Sequence, residues 1–389
     1  MAEAVWAEVS GERLVAVYRL AGDEGRARAL AEAITIEQTV EFPRAYLPPG
    51  NLASDVVGRV EDLTPEGDGS AAWRAAISFA VENTGMELPQ LLNVIWGNVS
   101  LIPGVRLEAV SLPQSLLARF PGPRFGRDGL RARLGVQGRA LVATALKPMG
   151  LAPGALAAEA AAFTRGGVDL VKDDHGLSDQ PFAPWRERVA RVIDAVREAN
   201  AQTGGHTLYL PNVSGPADVV AERAREAKRL GCGGLLVSPG LVGFDAMRAL
   251  SQDDSLDLPI MAHPAFLGSM VTSGEGGIAH EVLFGTLMRL AGADAVIFPN
   301  YGGRFAFSPD ECRRIMRGTG YAMGACRPAF PVPGGGMTLE RVPEMLATYG
   351  EDVVLLIGGA LFATGDPEGE SRRFAAWVQE AAQPGGGAP

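Results

Sequence analysis

Cysteine is scarce in this chain of 389 residues: Cys232, Cys312 and Cys326 lie far apart and show no CxxC spacing. This pattern argues against a disulfide framework and a structural zinc site, and it predicts that the protein is located in a reducing cytoplasm. No apolar run reaches the length of a membrane span, and the N-terminal segment MAEAVWAEVSGERL lacks an apolar signal core. We therefore expect neither a membrane segment nor a secretory peptide.

A surplus of basic charge is also missing, because 35 Lys and Arg residues face 45 Asp and Glu residues and the net charge is -10. Nucleic acids and anionic membranes require a basic surface, so neither is expected as a partner. Hydrophobic residues make up 47% of the chain, which is ample for a large core in a chain long enough for two domains. These properties indicate a metabolic enzyme with a small-molecule substrate.

From about residue 139 onward, short apolar runs alternate with longer amphipathic stretches. Strands that are apolar throughout are typical of parallel sheets buried on both faces, and helical crossovers join such strands. About eight such units in roughly 250 residues predict a (β/α)8 TIM barrel. An open doubly wound sheet is the alternative, but no predicted strand is followed by GxGxxG. The predicted strands are 140–148, 168–176, 207–215, 234–240, 259–266, 294–303, 329–336 and 353–362.

The first 135 or so residues do not follow this alternation, and we expect them to form a compact α+β domain. The predicted elements are a strand at 14–22, a helix at 23–38 with Asp23 as its N-terminal cap, a helix at 87–98 and a strand at 105–113. The predicted organisation is an N-terminal domain over 1–135, a barrel over 136–380 and a flexible tail over 381–389.

Four polar residues in a row, Lys172, Asp173, Asp174 and His175, end the second predicted barrel strand. Reactions on a TIM barrel take place at the C-terminal ends of its strands. Because alternate side chains of a strand share a face, Lys172 and Asp174 should point into the barrel mouth and Asp173 away from it. A lysine, a carboxylate and an imidazole that converge suit a metal site or an acid–base set. An internal ion pair is the structural alternative.

Three more strand ends carry candidate site residues: Lys147 after the first strand, Asn212 after the third and His263 after the fifth. A lysine beside carboxylates can have a lowered pKa and transfer protons. The Asn212 amide suits the orientation of a polar substrate. His263 is a candidate base or hydrogen-bond partner of the substrate, although a lone histidine is often structural.

Glycine clusters follow the last two predicted strands, at Gly334, Gly335 and Gly336 and at Gly358 and Gly359. Backbone N–H groups exposed after strands 7 and 8 form the usual phosphate cradle of this barrel. Two tight turns between strand and helix would account for the same glycines.

Several segments together resemble the RuBisCO large-subunit superfamily, over about residues 37–359. The segment GGVDLVKDDHGLSDQPFAPWRERV is similar to the signature of that superfamily, and ALKPMGL, WGNV and PVPGGG follow the order of its other landmarks. The resemblance implies a ferredoxin-like N-terminal domain before the barrel, and a head-to-tail homodimer with shared active sites.

The resemblance also assigns roles to individual residues. Lys172 matches a lysine whose carbamate, formed with CO2, binds Mg2+ or another divalent metal, and Asp174 matches the metal-binding aspartate. Lys147 matches the lysine that moves protons during enolisation, and His263 matches a histidine that contacts the substrate. Glu37 and Asn98 match residues that complete the site of the partner subunit, and the glycine clusters match the phosphate cradle.

The chain departs from the carboxylating members at several of these positions. His175 replaces a glutamate ligand, Met149 replaces the second lysine of the KPK motif, and Arg304 stands near the position of a loop lysine. A second phosphate site is also lost, because Pro264 replaces an arginine and Ile297 or Phe298 replaces a histidine. These departures predict a substrate with one phosphate or none, and no CO2 fixation.

The variant with His175 resembles the RuBisCO-like (type IV) members that decarboxylate or hydrolyse 3-oxo-isoapionate or its 4-phosphate. The sequence analysis therefore favours a metal-dependent carboxy-lyase or C–C hydrolase acting on a sugar acid in carbohydrate catabolism. One alternative is an enolase or isomerase of methionine salvage, acting on 2,3-diketo-5-methylthiopentyl 1-phosphate or methylthioribulose 1-phosphate. The other is a non-enzymatic, stress-related protein.

Overall fold

The computed structural model describes residues 7–67, 71–305 and 307–382. The predicted tail lies almost wholly outside this part of the chain. Two compact units can be distinguished, and the first consists of Met1–Pro121, Leu267–Thr286 and Met323–Cys326. The second consists of Gly122–Phe266, Leu287–Ala322 and Arg327–Pro389. No helix of the described residues is long and apolar enough to cross a membrane.

The first unit is an α+β layer, as predicted, around a five-stranded sheet. Strands are numbered along the whole chain, and those of this sheet are β1 (Arg13–Ala21), β2 (Arg59–Pro65), β3 (Ala72–Ala80), β4 (Val105–Ser111) and β10 (Gly277–Ile278). Their order in the sheet is β10-β4-β1-β3-β2. Its α-helices are α1 (Glu24–Glu37), α2 (Leu88–Trp96) and α3 (Gln114–Leu117). Short 3₁₀- and π-helical turns cover Arg44–Tyr46, Leu52–Val56, Val81–Thr84, Asn98–Leu101 and Gly268–Met270.

Two sequence patterns explain the centre of this layer. Every second residue of β1 is buried, which is the period of a strand with one covered face. The predicted cap of α1 is confirmed, because the Asp23 side chain accepts a hydrogen bond from the backbone N–H of Arg26. β2 and β3 were not predicted, and β2 is an exposed strand at the edge of the sheet.

The second unit confirms the predicted barrel, with one strand inside each of the eight predicted segments. The strands are β5 (Leu141–Ala145), β6 (Leu170–Lys172), β7 (Leu208–Leu210), β8 (Leu235–Val237), β9 (Ile260–Ala262), β11 (Ala295–Pro299), β12 (Phe330–Gly334) and β13 (Val354–Leu356). They form two parallel sheets, β13-β5-β6-β7 and β12-β11-β9-β8. A parallel bridge between Asn212 and Leu236 joins the sheets at one seam, and β12 packs beside β13 at the other.

Helices follow the strands around this unit. The α-helices are α4 (Gly126–Leu134), α5 (Pro153–Arg165), α6 (Trp185–Thr203), α7 (Val220–Leu230), α8 (Pro239–Val242), α9 (Phe244–Gln252), α10 (Met288–Leu290), α11 (Pro309–Gly320), α12 (Val342–Tyr349) and α13 (Pro367–Ala381). Shorter helical turns cover Leu339–Arg341 and Gly359–Phe362, and the turn Val282–Leu287 spans the point at which the chain returns from the first unit to the second.

The barrel core consists of apolar side chains from all eight strands, together with Leu130 and Leu134 of α4. The predicted domain boundary placed α4 in the N-terminal domain. In the structure the second unit begins at Gly122, and α4 packs its apolar face onto the barrel core. The predicted boundary at residue 135 therefore lies after a helix that belongs to the barrel unit.

Candidate active site

The C-terminal ends of β5, β6 and β9 bring four of the predicted residues together. The Lys147 Nζ lies 2.7 Å from the Asp174 Oδ2, and the His175 Nδ1 lies 3.3 Å from the Asp174 Oδ1. The rings of His175 and His263 are stacked, with centroids 4.2 Å apart. One oxygen of the Asp174 carboxylate is thus engaged by a lysine from the neighbouring strand end, and the other by the next residue of its own strand end.

The Asp174 carboxyl is held as a carboxylate by this environment. Burial raises its pKa, but the hydrogen bonds from His175 and Lys147 and the positive charge of Lys172 outweigh burial, and the pKa falls well below its usual value. The Lys147 side chain is about one-third exposed. Its ammonium group can therefore reach both the carboxylate and a molecule in the barrel mouth.

Lys172 is almost completely buried at the end of β6, and its Nζ donates to the backbone carbonyl of Asp173 at 3.1 Å. The pKa of this amine is lowered to about 8, mainly by burial; Asp174 opposes the shift and Lys147 contributes to it. The neutral form of Lys172 is therefore more populated near neutral pH than that of an exposed lysine, and the neutral amine is the form that reacts with CO2.

His263 follows β9 and is a neutral imidazole. Its pKa is lowered to about 2, mainly by burial, and the positive charge of Lys172 acts in the same direction. The Nδ1 atom accepts a hydrogen bond from the Ala265 N–H at 3.1 Å, which assigns the ring proton to Nε2. His263 can therefore donate a hydrogen bond to an oxygen atom of a substrate.

Asp173 points away from the mouth, as the strand alternation predicts. Its carboxylate is fully buried and accepts hydrogen bonds from the Tyr209 hydroxyl at 2.7 Å, the Asn212 N–H at 3.0 Å and the Arg188 guanidinium at 3.1 Å. Arg188 also donates to the backbone carbonyls of Ser178 and Ala183. This buried network fixes the backbone that carries Lys172, Asp174 and His175.

The Asn212 amide is used within the protein. Its Nδ2 donates to the carbonyls of His175 at 3.1 Å and Leu177 at 2.9 Å, and its Oδ1 accepts from the Ser214 N–H. These bonds favour a positioning role over the predicted contact with substrate. They hold the turn on which His175 lies.

Glu159 on α5 is a member of the site that the sequence analysis missed. Its Oε2 accepts a hydrogen bond from the Lys147 N–H at 3.2 Å. Burial raises the pKa of this carboxyl to about 7, although the bond from Lys147 opposes the shift. The sequence does carry a signal, because this is the only acidic residue of α5 and it lies between Leu156 and Phe163 on the buried face.

The two glycine clusters have different surroundings. Gly335 and Gly336 have positive φ and pack on the backbone of Gly303, where a Cβ on Gly336 would come within 2.6 Å of the Gly303 Cα. A close approach of two loops thus accounts for these glycines, which is a different structural reason from the tight turns considered in the sequence analysis. Gly359 faces open space, and the Lys147 side chain passes over Gly358. Phosphate binding at either cluster stays a prediction.

Arg304 lies on the loop after β11, exposed, with its guanidinium carbon 5.0 Å from the centre of the Phe305 ring. Glu37 and Asn98 both lie in the first unit, where the Asn98 Nδ2 donates to the Glu37 Oε1 at 2.9 Å. Their predicted role at the site of a partner subunit stays a prediction.

The side chains at the end of β6 suit a divalent cation only in part. Asp174 supplies carboxylate oxygens and His175 a ring nitrogen, and a third protein ligand requires the carbamate on Lys172. Within 7–67, 71–305 and 307–382, no group of three or more His, Cys, Asp or Glu side chains could hold a metal ion. A metal site here therefore depends on the modified lysine.

Comparison with known proteins identifies the family. Residues 127–305 match the model of the ribulose bisphosphate carboxylase large chain, catalytic domain. The chain is 42% identical to ribulose bisphosphate carboxylase-like protein 1 of Rhodopseudomonas palustris, over 94% of this chain and 98% of that protein. This chain belongs to the RuBisCO large-chain superfamily. Within it, the chain groups with the RuBisCO-like, type IV proteins.

Solved structures agree with this assignment. The structure of a RuBisCO-like protein from R. palustris matches with a TM-score of 0.87 at 42% identity, covering 96% of this chain and 99% of that chain. An octameric RuBisCO from Pyrococcus horikoshii matches with a TM-score of 0.88 at 27% identity, over 97% of this chain and 91% of that chain.

The names of the relatives contradict the prediction of a sugar-acid decarboxylase or hydrolase. A 5-methylthioribulose-1-phosphate isomerase of Rhodospirillum rubrum is 41% identical over 97% of this chain and 99% of its own length. A 2,3-diketo-5-methylthiopentyl-1-phosphate enolase of Geobacillus kaustophilus is 37% identical over 75% of this chain and 71% of its own length. The prediction was wrong because it gave too much weight to His175. One exposed ring at the site entrance does not determine which carbon of a substrate reacts.

Proposed function

We propose that this protein is a sugar-phosphate isomerase that acts on 5-methylthioribulose 1-phosphate. The observation that carries the proposal is the ion pair of Lys147 and Asp174 beside a neutral His263, in a chain whose isomerase relative aligns over nearly its whole length. These residues are suited to moving protons on a carbon skeleton.

The reaction consumes no CO2 as a substrate and needs no redox partner. In a ketose phosphate, a base removes the proton from a carbon next to the carbonyl, and an enediolate forms. A proton returned to another carbon completes the isomerisation. Lys147 takes the proton as a neutral amine and returns it to the other carbon from the ammonium that pairs with Asp174, and the His263 Nε2–H donates a hydrogen bond to an enediolate oxygen.

A divalent ion such as Mg2+, held by Asp174, His175 and a carbamate on Lys172, would supply positive charge next to the enediolate oxygens. Arg304 and the backbone N–H groups of the glycine clusters are candidates for holding a single phosphate. One phosphate site matches the proposed substrate, whereas ribulose bisphosphate carries two.

The test uses purified protein with Mg2+ and bicarbonate, and proton and phosphorus NMR to follow the products. The substrates are 5-methylthioribulose 1-phosphate, 2,3-diketo-5-methylthiopentyl 1-phosphate and ribulose bisphosphate. We expect turnover of the first compound. Turnover of the diketo compound alone would assign the protein as an enolase, and turnover of none would refute both.

The metal proposal can be tested separately, because the chain has only three lysines: Lys147, Lys172 and Lys228. A carbamate formed with ¹³C-labelled CO2 gives a carbon NMR signal, which should disappear in Lys172→Met and persist in Lys228→Met. Persistence of the signal in Lys172→Met would contradict the carbamate.

We also propose a homodimer with shared sites. A dimeric RuBisCO from Hyperthermus butylicus matches this chain with a TM-score of 0.84 at 25% identity, and Glu37 and Asn98 pair in the first unit. Mixing inactive Glu37→Gln with inactive Lys147→Met should restore activity, because a mixed dimer contains one intact site. Absence of rescue, with mixed dimers shown to form, would contradict shared sites.

A further inference from the structure

The loops at the catalytic end of the barrel expose several large apolar side chains. Of nine such exposed residues in the described part of the chain, five follow the C-terminal ends of barrel strands. They are Met149, Phe182, Leu241, Phe266 and Phe305. Ligand pockets are lined largely by apolar side chains, so these residues are candidates for contact with an apolar part of the substrate.

Met149 is the one of these five that is nearest in the chain to a proton-transfer residue. It follows Lys147 by two residues, and its side chain is about half exposed. A Cβ added to Gly176 would lie 2.5 Å from the Met149 Cε, so the thioether methyl group packs directly on the Gly176 backbone. Gly176 is the residue after His175. The Lys147–Asp174 pair is therefore flanked by a flexible, uncharged surface.

That surface is a poor site for phosphate and a good one for an alkyl or thioether group. Met149 offers no hydrogen-bond donor, and a thioether side chain adapts its shape to an apolar ligand. The cationic and glycine-rich candidates for phosphate binding lie on other loops, after β11, β12 and β13. The two ends of a substrate with one phosphate and one apolar tail would therefore meet different surfaces.

We propose that Met149 is a specificity-determining residue that receives the apolar, sulfur-bearing end of the substrate, which rests on the isomerase function proposed above. Gly176 leaves room for the Met149 methyl group, and a larger side chain at residue 176 would displace that group. Discrimination between a methylthio group and hydrogen at the end of the substrate should then depend on residue 149.

The test compares kcat/KM for 5-methylthioribulose 1-phosphate and 5-deoxyribulose 1-phosphate, which has hydrogen in place of the methylthio group. Wild type should prefer the methylthio compound roughly tenfold or more, as a filled apolar pocket allows. Met149→Gln should lose most of that preference, Met149→Leu should keep it, and Gly176→Ala should weaken it. Equal loss for both substrates in Met149→Gln, or an unchanged preference, would overturn the proposal.

A binding measurement separates this proposal from the proposed function. The ligands are the unreactive sugar-alcohol phosphates obtained by reducing the carbonyl of each substrate, and calorimetry gives their Kd values. Tighter binding of the methylthio alcohol to wild type than to Met149→Gln, without turnover, would refute the isomerase and support the role of Met149. Turnover with equal Kd values for the two alcohols in wild type would support the isomerase and overturn the role of Met149.

Discussion

The two sides of the segment from Lys172 to His175 differ in a way that separates stability from chemistry. On the buried side, Asp173 is completely enclosed and bonded to Arg188, Tyr209 and a backbone N–H group. On the open side, Asp174 is paired with Lys147 and His175, whose side chains are about 35% and 46% exposed. Adjacent carboxylates in one segment thus have opposite tasks, one holding the backbone and the other facing the substrate.

The largest expected effect is on the open side. Lys147→Met should lower kcat by about 10²–10⁴-fold, the usual contribution of general acid–base catalysis, with little change in the free energy of unfolding. Lys228→Met, on the outer helix α7, is the matched control and should leave kcat unchanged. Steady-state kinetics and urea unfolding measure the two quantities. A Lys147→Met protein with normal kcat would contradict the proton-transfer role.

On the buried side, a substitution should mainly lower the free energy of unfolding. Arg188→Met leaves the Asp173 carboxylate without its cation, and breaking a buried pair costs about 3–5 kcal/mol of stability. Arg186→Met is the control on the same helix, because Arg186 is exposed and pairs with Glu226 at the surface, so its effect should be within about 0.5 kcal/mol. Urea unfolding checks both values. Equal losses of stability in Arg188→Met and Arg186→Met would contradict the stabilising role assigned to the buried side.

The smallest expected effect concerns Glu159, which lies behind Lys147. Its pKa is raised from 4.5 to about 7 by burial, so between these values the folded state binds a proton that the unfolded state has released. The stability from this group is therefore complete below pH 4.5 and is lost as pH rises through about 7. Glu159→Gln should gain stability relative to wild type between pH 5 and 8. A difference that does not vary with pH would show that the carboxyl is ionised throughout.

Much of the fold and of the difference between the two sides could be predicted from the sequence, because both follow from local, periodic patterns of apolar and polar residues. All eight barrel strands were found since they are apolar throughout, and strand alternation correctly placed Asp173 opposite Lys172 and Asp174. β2 and β3 were missed because one is an exposed, charged edge strand and the other is rich in alanine, so neither carries a strong strand pattern.

The substrate class could not be predicted from the residue type at a single metal-ligand position, that of His175. The identity of His175 suggested sugar acids, whereas Met149 was noted only as a lost lysine, because its packing on Gly176 joins two loops that are distant in sequence. A further signal was overlooked in the composition. Only three of the 35 basic residues are lysines, and two of these lie at the barrel mouth, where a side chain with an adjustable pKa is needed.

The central claim is that Lys147, which pairs with Asp174 on the open side of this segment, transfers protons on 5-methylthioribulose 1-phosphate. Proton NMR in deuterated buffer tests it most directly. The wild-type protein should exchange a carbon-bound proton next to the carbonyl for deuterium. In Lys147→Met this exchange should be slower by a factor of about 10² or more. Equal exchange rates in the two proteins, or no exchange in the wild type, would contradict the claim.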